Sequence, residues 1–328
     1  MTINTVNASP TNPSWFYNGW QYRKAHDLTA TPQTTVPTNF FNVSTAVSTI
    51  AGNPNTQHAF EPVHNSTIIE VDKQIDGNTW KYLAYDCDPG GSLINLFYSN
   101  DTSGTWIPYS QNPILGPSAD YFRWPSTTYV NGTFYMFLED YTGGTLERWS
   151  STDGIHYIFV ENVISGGNPY KNPFIWFNTN DNKWYLYSHD AISTGVGESL
   201  KVRSATTLSG LSTTTDTTIL TQNIPFGSPT MMYYNGEYWL LGEIMVGSQW
   251  QIVAYYSTTF PSLGFVQATN SPVLTNDEAC PMVFLMPDQT HAYLYETDNS
   301  SAWYENTRQI NLTSQVSPPH QPVSLITK

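Results

Sequence analysis

Carboxylates recur at matching places along this chain. Asp86, Glu139-Asp140, Asp190, Glu243 and Glu296 each close a strand-like run rich in aromatic residues, while Glu61, Asp120, Asp277 and Glu278 each stand ahead of a short apolar run. A fold that gathered these acids in one place would suffer their repulsion unless some were protonated, paired with a cation or neutralised by a metal. Two carboxyls with separated pKa values equip a site for acid and base work, one holding a proton for a leaving oxygen and the other acting as base or nucleophile. Glu61, Glu139, Glu243 and Glu278 are the candidates for those roles. Near them stand groups suited to holding a ligand: Asp120, Tyr121, Arg123 and Trp124 together, then Lys171 and His189. Arg123 offers a planar fork of donors, and aromatic faces such as Tyr121, Phe122, Trp124, Tyr141 and Tyr170 can stack on the apolar faces of sugar rings. Each acid also has a plainer reading as the cap of a turn, and His189 as a hydrogen-bonded structural histidine.

The elements that position these residues come from an internal repeat. One unit recurs every 50 to 60 residues or so, the sign of a repeat architecture. It starts at an X-Pro step, seen at Glu61-Pro62, Trp124-Pro125, Asn172-Pro173, Ser228-Pro229 and Cys280-Pro281. A short apolar strand follows, then a tight turn, then an aromatic strand such as Phe134 to Leu138 or Tyr238 to Leu241. Asn131-Gly132 and Asn235-Gly236 supply the positive φ angles of a two-residue hairpin. Third strands at 93–99, 146–151, 200–204, 251–257 and 303–310, with weaker fourth strands such as 157–163 and 265–268, make four antiparallel strands per unit. The prediction is an all-β chain folded as a five-bladed β-propeller, four antiparallel strands per blade, with the ring closed by a terminal strand. Residues 1–59 then form an N-terminal segment that holds the ring-closing strand, placed at 15–28, and a surface loop over 29–57. Residues 60–328 form the propeller, the whole being one domain. In such a ring the start of each first strand and the end of each second strand reach the same central funnel.

Composition narrows the partners. The 328 residues include 12 basic and 26 acidic side chains, for a net charge of −14 without any basic cluster, which excludes a phosphate backbone and disfavours anionic membranes. No apolar run reaches the roughly 18 residues of a bilayer span, so no membrane insertion is expected. Aromatic residues at 15% outnumber charged ones at 12%, a balance that points outside the cell. The start MTINTVNASP lacks the basic and apolar regions of a signal peptide, which leaves a virion or cell-surface location as well as secretion. Sequons at Asn7, Asn42, Asn65, Asn100, Asn131, Asn299 and Asn311 offer sites for glycosylation. Cys87 and Cys280 fall on neighbouring blades; a disulfide between them would staple the ring by about 4 kcal/mol, and two buried thiols are the alternative.

The repeat, together with the turn Ser151-Thr152-Asp153-Gly154-Ile155-His156-Tyr157, resembles the five-bladed glycoside hydrolase superfamily of arabinanases, β-xylosidases, invertases and levansucrases, with the mannoside phosphorylases as relatives. The resemblance covers nearly the whole chain. It implies a glycan or oligosaccharide in the central funnel, bound or cleaved. That family carries acids just before the prolines of its first three blades; here only Glu61 has such a place, while Trp124 and Asn172 stand at the other two. If the chain is an enzyme its acids have moved to other funnel positions; if not, it is a structural or adhesive glycan-binding module with an assembly partner on a virion or cell surface. No cofactor is required, and the funnel leaves room for a cation such as Ca²⁺; no metal ligands are assigned.

Overall fold

Repeated hairpins of β-branched and aromatic residues, three of them closed by two-residue turns with positive φ at Asp76 and Gly77, Asn131 and Gly132, and Asn235 and Gly236, build a molecule made of antiparallel sheets. It is described by a computed structural model covering residue 41 and residues 43–50, 64–87, 93–102, 106–116, 121–165, 170–190, 199–221, 226–286, 292–298 and 304–310. The chain divides into residues 1–36 and 37–328, and all the described residues belong to the second unit.

The first strand is β1 (Val43–Ile50), and the first sheet runs β2 (His64–Ile75), β3 (Asn78–Cys87), β4 (Ile94–Ser99) and β5 (Ile107–Pro108). The second is β6 (Phe122–Val130), β7 (Thr133–Asp140), β8 (Thr145–Ser151) and β9 (Ile158–Ile164). The third is β10 (Tyr170–Asn178), β11 (Lys183–Asp190), β12 (Ser199–Ala205) and β13 (Thr217–Thr221), with a 3₁₀ turn at Ser209–Thr213. The fourth is β14 (Phe226–Tyr234), β15 (Glu237–Val246), β16 (Gln249–Ser257) and β17 (Val266–Gln267). The last is β18 (Glu278–Leu285), β19 (Ala292–Asp298) and β20 (Tyr304–Ile310), with β1 on its outer edge. The architecture is an all-β propeller, with β2 beside β6, β6 beside β10, β10 beside β14, β14 beside β18 and β18 beside β2.

Two expectations are corrected here. The outer partner of β20 is Val43–Ile50, which pairs from Val43 opposite Ile310 to Ile50 opposite Glu305. This strand lies inside the stretch expected to be a surface loop; its alternation of Val, Thr and Ile with Ser and Ala suits a pleated edge better than the Asn and Pro around it. Residues 15–28, expected in that role, lie outside the described residues. Cys87 and Cys280 are both buried and remain thiols, so the staple is not formed.

Apolar side chains from adjacent sheets fill the seams between them, as where Tyr85, Leu83 and Leu96 of the first sheet meet Phe122, Phe134 and Met136 of the second. Tyrosine hydroxyls add a polar tie at three seams. Tyr85 donates to the carbonyl of Gly154 at 2.9 Å, Tyr187 to Pro261 at 2.9 Å and Tyr295 to Thr102 at 2.6 Å. The Gly154 turn fits there because a Cβ on Gly154 would lie 2.9 Å from the Tyr85 hydroxyl, and its φ of +81° suits glycine. Within that turn Asp153 accepts from Ser151 and from the backbone of Ile155 and His156, while the ring of His156 bonds its second oxygen. Burial alone would raise its pKa, but these bonds overcome it and hold the carboxyl well below the usual range.

Candidate functional site

Each first strand breaks its register near its start, between His64 and Thr67, Arg123 and Ser126, Lys171 and Phe174, Gly227 and Thr230, and Ala279 and Met282; β2 has a second break, between Glu70 and Lys73. In four of them the extra pair is the X-Pro step. Proline has no N–H to give to the ladder, so it belongs at a bulge. The residue before it then takes a left-handed turn, with φ of +51° at Trp124, +50° at Asn172, +49° at Ser228 and +51° at Cys280. Residues before proline favour extended backbone, so these four positions store strain of about 1 kcal/mol or more apiece. The first sheet departs from the sequence reading. Its bulge holds Asn65-Ser66, not Glu61-Pro62, and Glu61 lies outside the described residues, as does Asp120.

The residue pairs just before the bulges are His64 with Cys87, Arg123 with Glu139, Lys171 with His189, Gly227 with Glu243, and Ala279 with Thr297. Cys87, Glu139, His189, Glu243 and Thr297 therefore share one register position, and all five are buried. Asp86 and Glu296 sit one residue earlier, opposite the bulge, so the alternation of the strand sends them to the other face. The sequence reading grouped them with Glu139 and Glu243; the register separates them. Glu278 is buried at the start of β18, where it caps its own loop by accepting the N–H of Asn276. Asp277 accepts the N–H of Trp250 at 2.8 Å, and Asp140 accepts that of Gly143 at 2.9 Å. For Asp140 and Glu278 the turn-capping role describes the contacts seen, whereas Asp277 ties its loop to the hairpin of the fourth sheet.

Glu243 is the best-defined acid of the group. Its Oε1 accepts the hydroxyl of Ser228 at 2.6 Å and its Oε2 accepts the backbone N–H of Cys280. The amide of Asn172 donates to Ser228 at 2.9 Å. This line of bonds crosses the third, fourth and fifth sheets. Burial raises the pKa of Glu243, opposed by the Ser228 bond, the Cys280 bond and the charge of His189. Gly227 makes the closeness workable, because a Cβ there would lie 2.9 Å from Glu243 Oε1, 3.2 Å from Asn172 Nδ2 and 3.4 Å from His189 Nε2. Below, Thr67, Pro125, Asn172, Pro173, Pro229 and Pro281 line a narrow axial cavity to which all the sheets contribute. The blade-to-blade bonds from Thr67 to the Pro125 carbonyl, from Ile175 N–H to Ser126 and from Val283 N–H to Thr230 knit the first strands around it.

Beside this buried group lies an exposed one. The guanidinium of Arg123 sits 4.0 Å from the ring centre of Tyr141 and 5.6 Å from that of Trp124. Trp124 is itself half buried against the core of the first two sheets. Tyr121 and Tyr141 are 50% and 47% exposed, and the Tyr141 N–H donates to the Tyr121 carbonyl at 2.9 Å, which holds the two aromatic residues side by side. Lys171 faces His189 across the β10–β11 ladder. The sequence reading missed Ser228 and Gly227 and gave Asn172, at the entrance of its strand, no role in the site. The X-Pro repeat was the signal for two of them, since Asn172 and Ser228 each stand directly before the proline of a repeat. Among the described residues no group of three or more His, Cys, Asp or Glu side chains is arranged to hold a metal ion.

No family sequence profile and no curated protein sequence matches the chain. Solved structures do. A thermostable family-43 glycoside hydrolase is 12% identical with a TM-score of 0.62, over 83% of this chain and 98% of that one. An endo-arabinase from Bacteroides thetaiotaomicron is 14% identical with a TM-score of 0.59, over 80% and 98%. The catalytic domain of a Coprinopsis cinerea GH62 α-L-arabinofuranosidase is 12% identical with a TM-score of 0.59, over 84% and 98%. The fold is thus a propeller of the type these glycoside hydrolases have.

Proposed function

We propose that the chain is a carbohydrate-active propeller that binds a neutral glycan or oligosaccharide across the end of the ring that carries Arg123. In this reading each sheet is one blade of five, and the pairing of β1 with β20 closes the ring. The observation that carries the proposal is the exposed platform of Tyr121 and Tyr141 with the Arg123 guanidinium laid on the latter. Stacking of a sugar ring on tyrosine and donation from a planar fork to vicinal hydroxyls form a standard means of holding a neutral polyol. The proteins whose structures are similar include an endo-arabinase and an endo-1,4-β-xylanase, which supports a glycan as ligand. A net charge of −14 favours an uncharged sugar over an acidic one.

Binding is favoured over hydrolysis by the burial of Glu139, Glu243 and Glu278, and by the engagement of both oxygens of Glu243. The raised pKa of Glu243 favours the second reading, a glycosidase with Glu243 as its acid. The low charge and the exposed sequon residues Asn100 and Asn131 support a place outside the cell or on a virion or cell surface. Calorimetric titration with arabino-, xylo- and galacto-oligosaccharides, alongside assays on a panel of aryl glycosides, tests the proposal. Saturable binding without turnover is expected. Turnover abolished by Glu243→Gln would move the conclusion to the hydrolase, and the absence of binding to any of these sugars would end the glycan reading.

A further inference from the structure

The line of hydrogen bonds through Asn172, Ser228 and Glu243 has one open end. Ser228 has a single proton, which it donates to Oε1 of Glu243 at 2.6 Å. Asn172 must then turn its Nδ2 toward Ser228, where the distance is 2.9 Å, and this fixes the amide with Oδ1 facing away. That Oδ1 has no hydrogen-bond partner among the described residues, although Asn172 is only 6% exposed. A buried carbonyl oxygen without a donor costs about 1–3 kcal/mol, and here it is paired with a strained backbone, φ +50°, that the following proline disfavours. Two costs at one residue mark a position kept for a task. Asn172 also borders the axial cavity, beside Thr67, Pro125 and Pro229.

From these observations we propose that Asn172 is a specificity-determining residue, whose Oδ1 accepts a hydrogen bond from one hydroxyl of the bound glycan reaching into the axial cavity. The inference rests on the glycan reading above and deepens it by naming the contact that selects among sugars. The ligand must bring a donor, because Oδ1 only accepts, and the donor must be slender, because prolines narrow the cavity. A hydroxyl meets both conditions. A metal cation would call for several anionic ligands, and no such cluster exists among the described residues. A site built around a hydroxyl rejects the analogue lacking it far more strongly than an apolar pocket rejects a missing methylene.

The test is a deoxy scan. α-1,5-Arabinotriose, β-1,4-xylotriose and β-1,3-galactotriose are titrated into the whole protein, and the monodeoxy analogues of whichever binds are then compared. One analogue is expected to bind wild type about 10-fold or more weakly than the parent, which is about 1.4 kcal/mol, and Asn172→Ala is expected to bind that analogue and the parent equally. If Asn172→Ala weakens every analogue by the same factor, the residue is structural and the proposal fails. Should the variant not fold, the wild-type scan decides, because a flat profile with no analogue weakened more than about 2-fold overturns the proposal. A flat profile leaves glycan binding standing, whereas no binding by any of the three trisaccharides removes the underlying reading as well.

Discussion

The same register position carries Glu139, His189 and Glu243 in the second, third and fourth sheets, but Cys87 and Thr297 in the first and last. All five are buried and all precede a bulge in the opposite strand, so the backbone treats them alike. What differs is the chemistry placed there. Three neighbouring sheets hold carboxyl or imidazole groups, while the two sheets that meet through β18 and β2 hold a small thiol and a small hydroxyl. The scaffold supplies the positions, and the side chains at a few of them set the function. Two residues earlier on the same face the pattern changes to Tyr85, Phe137, Tyr187, Leu241 and Tyr295, where the three hydroxyls tie one sheet to the next turn.

This contrast is open to measurement. The largest effect is expected from Glu243→Ala, which strands the Ser228 hydroxyl and the Cys280 N–H in a buried place. The loss is about 3 kcal/mol, roughly 6 °C or more in Tm, while Thr297→Ala at the matching position costs about 1 kcal/mol; equal losses by thermal denaturation would erase the distinction between the sheets. Next comes Gly227→Ala. Its methyl presses on a carboxylate already held by two donors, at a cost of about 2 kcal/mol, and a neutral result would mean that Glu243 is not fixed where the structure puts it. Tyr295→Phe removes one hydroxyl from the tie between the last and first sheets and costs about 1 kcal/mol. Phe137 and Leu241 already lack that hydroxyl, so a much larger loss would identify the seam as the weak point of the molecule.

The smallest effect concerns pH. Glu237, buried at the turn end of β15, has its pKa pushed up to about 7 by desolvation, with Trp239 opposing the shift. The folded pKa lies above the unfolded value, so the fold favours the protonated form. That contribution is complete below the unfolded pKa, about 4.3, and is lost as pH rises through about 7. Glu237→Gln should therefore leave Tm unchanged at pH 4 and raise it by roughly 2 °C at pH 8. A Tm gain of the same size at both values would contradict the assignment.

The all-β propeller was legible because each hairpin carries its own signal: Asn-Gly turns, aromatic second strands and an X-Pro step. Four of the five X-Pro steps fell where the ladder breaks. The fifth, Glu61-Pro62, lies outside the described residues, and the break in the first sheet holds Asn65-Ser66, which carries no proline for a dipeptide motif to find. The edge strand β1 was hidden by Thr and Ser, which serve loops and edge strands equally well. The acids were harder. Sequence spacing put Glu139 and Glu243 at strand ends but could not tell which face each would take, since that depends on register: Asp86 and Glu296 lie one residue short of the position that Glu139 and Glu243 hold, and the alternation of the strand turns them to the other face. The disulfide failed for the same reason: neighbouring sheets bring two cysteines close only if both side chains turn toward each other.

The central claim is that a glycan rests on the exposed aromatic platform at Tyr121 and Tyr141, with its hydroxyls beside the Arg123 guanidinium that lies on Tyr141. Titration of Arg123→Ala with the oligosaccharide that wild type binds, alongside its Tm, tests this directly. The account predicts a loss of affinity of at least about 10-fold with Tm within a degree or two of wild type. Unchanged affinity in a folded variant would contradict it.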